Sequence, residues 1–172
     1  YCDSILDYCW DVCCSRFGNF LWTMGCLLNM SYIESLSKSN LLVVGGGVTG
    51  SALVRYLKEI NVASIHLFDE KESVVEEVPV TSIIPPDLDI AIVSPGWKKS
   101  HPFIAQLIAQ GVEVVSEVDF AWRIRQEVAP LQRWIALTGT NGKTTTIQMV
   151  ESILNASHLR GIACGNVGRS VI

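Results

Sequence analysis

The segment Leu41-Leu42-Val43-Val44-Gly45-Gly46-Gly47-Val48-Thr49-Gly50 limits the folds open to this chain more than any other. An apolar run ended by glycine reads as a buried strand. Its glycines match G-x-G-x-x-G, and Ala52, Leu53, Tyr56, Leu57 and Ile60 then recur at helical spacing. Strand, glycine turn and helix in that order open a nucleotide-binding βαβ unit. A second β-rich segment, Ser64-Ile65-His66-Leu67-Phe68, ends in Asp69, where such a unit places its acidic residue. Residues without Cβ let the backbone turn tightly and let a ligand approach the helix amides, and they equally permit close strand–helix packing. Asp69 fits either a hydrogen bond from a sugar hydroxyl or a solvated strand end.

The alternation continues down the chain. A strand is expected near Val78 to Ile83, and another from Asp89 to Val93 running into Ser94-Pro95-Gly96. Pro102 to Gln110 supplies a helix with Phe103, Ile104, Leu107 and Ile108 for one face, stopped by Gly111. Val112 to Val115 reads as a strand and Glu117 to Val128 as a helix or connector. Pro130 breaks the pattern before Trp134-Ile135-Ala136-Leu137, a strand opening something new. Next comes Thr138-Gly139-Thr140-Asn141-Gly142-Lys143-Thr144-Thr145-Thr146, leading into Ile147, Met149, Val150, Ile153 and Leu154 at helical spacing. This is a phosphate loop in form: amides near Gly142 can hold phosphate oxygens, Lys143 can reach the β/γ-phosphates, and the Thr144 hydroxyl can sit on Mg²⁺. The usual spacing has a further glycine where this chain has Leu137, so the loop is a variant.

The fold class expected is α/β: a Rossmann-like parallel sheet domain, followed by the start of a P-loop ATP-binding α/β domain. The domains are read as 30–120 and 121–172, with the boundary inside 117–132, and 1–29 as a leader or extension. In such sheets ligands gather at the carboxyl ends of the strands.

Composition narrows the function classes. In 172 residues, 13 Lys+Arg against 17 Asp+Glu give a net charge of −4, which argues against a basic nucleic-acid module. A hydrophobic fraction of 49% with 17% charged residues can bury a core and is no disordered acidic tail. Residues 98–172 carry the positive balance, so an anionic ligand is favoured toward that half. The uncharged stretch from Phe17 to Ile33 is broken by Gly18, Asn19, Gly25 and Asn29, and no stable membrane insertion is expected from it. Five of the six cysteines lie in the first 26 residues, with Cys164 alone near the end, which is neither a disulfide framework nor a zinc set. His66, His101 and His158 have no neighbours that make a nucleophile triad.

Taken in order, Gly45 to Gly50, Ser94-Pro95-Gly96-Trp97, Ser116-Glu117-Val118-Asp119-Phe120, Thr138 to Thr145 and Gly165-Asn166-Val167-Gly168 resemble the ATP-dependent Mur ligases, most closely the D-glutamate-adding members. The resemblance covers about Met30 to Ile172. It implies ligation of D-glutamate to UDP-N-acetylmuramoyl-L-alanine through an acyl phosphate, in peptidoglycan precursor synthesis, by a cytoplasmic monomer that uses ATP and Mg²⁺. It implies nucleotide-sugar contacts from Val48, Thr49, Asp69, Gly96 and Asn166. ATP contacts fall to Gly139, Thr140, Asn141, Gly142, Lys143, Thr144 and Thr145. Catalytic roles fall to Lys143, Thr144 and Asn166, with Thr144 also on the metal. The family's amino-acid-binding domain, further magnesium ligands and a modified lysine would follow Ile172, so this chain is expected to be an incomplete and inactive piece. A nonenzymatic nucleotide-binding or regulatory Rossmann module is the other reading left open.

Overall fold

Four parallel strands form the central sheet of the described residues, and the inner two are apolar runs buried on both faces. The structure, a computed structural model, describes residues 31–71, 74–165 and 167–172. The leader expected at 1–29 and Asn166 therefore lie outside the described residues. A short helix α1 (Tyr32–Leu36) precedes β1 (Asn40–Val44), the Gly45–Gly47 turn and α2 (Val48–Glu59). After β2 (Ser64–Phe68) come the short strands β3 (Val74–Val75) and β4 (Val78–Pro79), then β5 (Ile90–Val93). The chain continues through α3 (Pro102–Ala109), β6 (Glu113–Ser116), α4 (Glu117–Val128) and α5 (Lys143–Ala156). The sheet order is β2-β1-β5-β6, all parallel, with β3 and β4 forming an antiparallel pair of their own. This is the expected Rossmann-like α/β architecture.

The alternation of side chains along β1 divides the core. Leu41 and Val43 face one layer, with Leu53, Val54 and Leu57 of α2 and Phe120 and Ile124 of α4. Leu42 and Val44 face the other, with Phe103 and Leu107 of α3. All four β1 residues are fully buried, each stabilising the fold by about 1.5–3 kcal/mol relative to exposure. The chain leaves the carboxyl end of β1 toward β2 on one side and that of β5 toward β6 on the other. The crevice beside Gly45 is therefore the topological switch point of the sheet.

Helix ends follow local chemistry. Gly111, at φ 81°, ends α3: its amide donates to Ile108 and that of Val112 to Leu107, which satisfies the last carbonyls. Ser116 starts α4: its Oγ accepts from the Asp119 amide at 3.1 Å and donates to Asp119 Oδ2 at 2.7 Å. Ser116→Ala is expected to destabilise the protein by about 1 kcal/mol and Ser116→Thr by much less. An unchanged thermal midpoint for Ser116→Ala would count against the cap.

Two expected strands differ. The segment near Val78 to Ile83 pairs only at Val78–Pro79, with a single bridge from Val80 to Leu67. Thr81 then turns the chain by bonding both the carbonyl and the amide of Ile83, ahead of Pro85-Pro86. Trp134 to Leu137 forms no strand. A strand needs a neighbour for its backbone groups, and among the described residues none runs beside it. Instead Arg125 donates to the carbonyls of Pro130 and Gln132, and Trp134 packs edge-on to Trp122 at 5.2 Å. The apolar residues expected on α5 are present on a helix that buries none of its side chains, Met149 and Ile153 being exposed.

Candidate functional site

Three loops meet at the carboxyl edge of the sheet. Gly45 follows β1, and its amide donates to Phe68 O at the end of β2 at 2.8 Å. The next amide, Gly46, donates to Asp69 Oδ2 at 2.7 Å, and Asp69 Oδ1 accepts from the Lys71 amide at 2.7 Å. From β5, the Ser94 amide donates to Val44 O at 2.9 Å, and Ser94 Oγ lies 3.4 Å from Gly45 O. Asp69 thus ties its own loop to the glycine turn.

The glycines have distinct physical jobs. A Cβ on Gly50 would lie 1.8 Å from Gly45 O, and one on Gly45 would lie 2.6 Å from Trp97 Nε1. Both positions need hydrogen alone, for packing. A Cβ on Gly47 would meet nothing within 4 Å, so open space lies in front of the α2 amino terminus, where backbone amides and the helix dipole favour an anion. Val48 and Gly96 are exposed and Thr49 half-buried at this same edge.

An aromatic group closes one side. Phe68 stacks on Phe103 with ring centroids 3.6 Å apart, and Trp97 meets Phe68 and His101 edge-on at 5.5 and 4.8 Å. His101 caps α3 by accepting from the Phe103 amide through Nδ1 at 3.3 Å, and its Nε2 lies 3.1 Å from Glu70 Oε1. The His101–Glu70 link joins the loops after β2 and β5. It was not legible in the sequence, although His before Pro at a helix start was the available cue.

The phosphate loop is open to solvent throughout Thr138 to Thr146. Gly142 adopts φ 74° and begins α5, and Gly139 also has positive φ. Lys143 folds back over the loop, its Nζ donating to the carbonyls of Gly139 and Thr140. Thr146 closes the first turn on Gly142 O through both its amide and Oγ1, each at 2.9 Å. Thr140, Asn141, Thr144 and Thr145 are exposed around it. An exposed ammonium, small residues and helix-start amides form a donor set that suits a polyphosphate. Among the described residues no group of three or more His, Cys, Asp or Glu is placed to hold a metal. Thr144 can therefore offer a hard cation one hydroxyl, which fits Mg²⁺ only when phosphates and water fill most of its shell.

Among the described residues no helix is long and apolar enough to cross a membrane. No family model matches the chain. It is similar to curated relatives named UDP-N-acetylmuramoylalanine–D-glutamate ligase. The relative from Nocardia farcinica is 32% identical over 152 residues, covering 81% of this chain and 32% of the relative. That from Gloeobacter violaceus is 37% identical over 144 residues, covering 75% and 32%. That from Thermobifida fusca is 43% identical over 96 residues, covering 56% and 20%. This chain thus spans about a third or less of the length of these relatives. Over most of its own length the chain resembles the amino-terminal part of the D-glutamate-adding Mur ligases.

Proposed function

We propose that the protein containing this chain joins D-glutamate to UDP-N-acetylmuramoyl-L-alanine at the expense of ATP, as a step of peptidoglycan precursor synthesis. The observation that carries this reading is the pairing, in one chain, of a glycine turn at a sheet switch point with a separate lysine-bearing phosphate loop. A dinucleotide-binding module needs only the first. The names of the relatives supply the substrate class.

In this reading the α2 amino terminus, with Val48 and Thr49, and the edge made by Asp69 and Gly96 hold the nucleotide sugar, and Asn166 belongs to the same substrate region. Gly139 to Thr145 hold ATP, and the Thr144 hydroxyl would help hold Mg²⁺, which would supply charge neutralisation. Lys143 leaves the carbonyls of Gly139 and Thr140 and turns its ammonium to the β/γ-phosphates, where negative charge develops during transfer. The muramoyl-L-alanine carboxylate receives the phosphoryl group, and the D-glutamate amine attacks the resulting acyl phosphate and expels phosphate. The catalytic set proposed is Lys143, Thr144 and Asn166.

The first domain, expected from the sequence to end at 120, is proposed to run on through α4, whose Phe120 and Ile124 pack in its core, with the ATP-binding domain beginning after it. The protein is proposed to act as a cytoplasmic monomer, and residues 1–172 alone to lack turnover. In an assay of the full-length protein, ADP release is expected to require both UDP-N-acetylmuramoyl-L-alanine and D-glutamate. Equal product with L-alanine in place of D-glutamate, without any need for the nucleotide sugar, would refute the assignment.

A further inference from the structure

Glu117 is the one charged side chain buried among the described residues, at 1% exposure. Removing a carboxylate from water is costly unless hydrogen bonds replace its hydration. It stands in the first turn of α4, where the helix dipole favours negative charge. Its Oε1 accepts from Ser170 Oγ and, at 2.8 Å, from the Val171 amide. Both partners follow the Gly165–Gly168 motif, and the Gly165 amide donates to Arg169 O at 2.8 Å. Before that motif, burial pushes the Cys164 thiol up from its ordinary value, with Glu117 and Glu151 adding to the rise. One carboxylate therefore acts on both flanks of the motif.

Three of the other four members of the Ser116–Phe120 motif are accounted for by the fold. Ser116 and Asp119 cap α4, and Phe120 lies in the core. Stability alone does not favour an acid here, because an apolar residue of similar volume in a buried position is often as good or better. Fixing a distant segment in one place does require it.

We propose that Glu117 is a positioning residue that holds Ser170 and Val171 at the start of α4, and so orients the adjoining Gly165–Gly168 motif toward the bound nucleotide sugar. The role in substrate contact rests on the ligase reading. The test uses the full-length protein and the variants Glu117→Gln, Glu117→Ala and Ser170→Ala. Amide exchange at Val171 and the separate KM values for nucleotide sugar and ATP are measured. Losing a hydrogen bond to a charged group is expected to speed Val171 exchange in Glu117→Ala by roughly tenfold to a hundredfold. The KM for the nucleotide sugar is expected to rise by about the same factor while that for ATP stays put. Glu117→Gln keeps an acceptor oxygen and should recover much of both effects, and Ser170→Ala should reproduce them weakly.

Unchanged Val171 exchange in Glu117→Ala would overturn the anchor. Faster exchange with both KM values unchanged would overturn the positioning role. A matched loss for both substrates that glutamine does not rescue would mean a purely structural residue, and would overturn the role equally. If the unmodified protein ligates nothing, the ligase reading fails, and exchange at Val171 still decides whether Glu117 holds Ser170 and Val171.

Discussion

Gly50→Ala is expected to lower the thermal midpoint of the full-length protein by roughly 10 °C, a destabilisation of about 3 kcal/mol. The new Cβ would lie 1.8 Å from Gly45 O and 2.8 Å from Gly45 C, both backbone atoms. Neither can swing aside, since the Gly45 amide is bonded to Phe68 O. Relief would require α2 to back away from β1, opening the layer where Leu53, Val54 and Leu57 are fully buried. Alanine gains about 1 kcal/mol over glycine in helix propensity, and the clash must exceed that gain for the sign to hold. Gly47→Ala provides the contrast. Gly47 has an allowed φ of −68° and open space around it, so its stability is expected to change by less than about 1 kcal/mol. Its methyl would stand instead where the ligand approaches, and the loss should appear in the KM for the nucleotide sugar. Circular dichroism melts of the two variants check this, and a Gly50→Ala midpoint within a degree or two of wild type would refute the packing argument.

That contrast also shows how far the sequence could be read. The order strand, glycine turn, helix was legible because each element is specified locally. β1 is buried on both faces and so reads as an uninterrupted apolar run, and α2 has one inward face and so reads at helical period. The end of α3 at Gly111 was legible for the same local reason. The segment Trp134 to Leu137 carries an apolar pattern too, but strand formation depends on a neighbour, and pattern does not supply one. Long-range polar contacts were the least legible. Asp69 was found by its spacing from the glycine turn, whereas its bond to Gly46 spans two strand ends and leaves no local trace. Glu117 drew notice only as part of a motif. Its partners Ser170 and Val171 are more than 50 residues further on, and no property of a single acidic residue reveals burial.

Lys143→Ala in the full-length protein is expected to reduce ATP-dependent product formation by about 10²–10³-fold, equivalent to about 2.7–4 kcal/mol of transition-state stabilisation. It is expected to leave the fold intact. Lys143 is exposed, and among the described residues its ammonium bonds only the carbonyls of Gly139 and Thr140 in its own loop. A cation in the first turn of a helix opposes the dipole, and alanine has the higher helix propensity, so removing the lysine should be neutral or slightly favourable for α5. Helix stability therefore gives no reason for a lysine here, and a ligand phosphate does. Lys143→Arg should not restore activity, because a planar guanidinium cannot replace a compact ammonium that pivots from loop carbonyls to phosphate. Parallel measurements should show the ATP KM raised or kcat lowered, with unchanged affinity for the nucleotide sugar and an unchanged thermal midpoint. Wild-type turnover by Lys143→Ala would remove the loop from the reaction. A collapsed thermal midpoint would instead show that the lysine holds the fold.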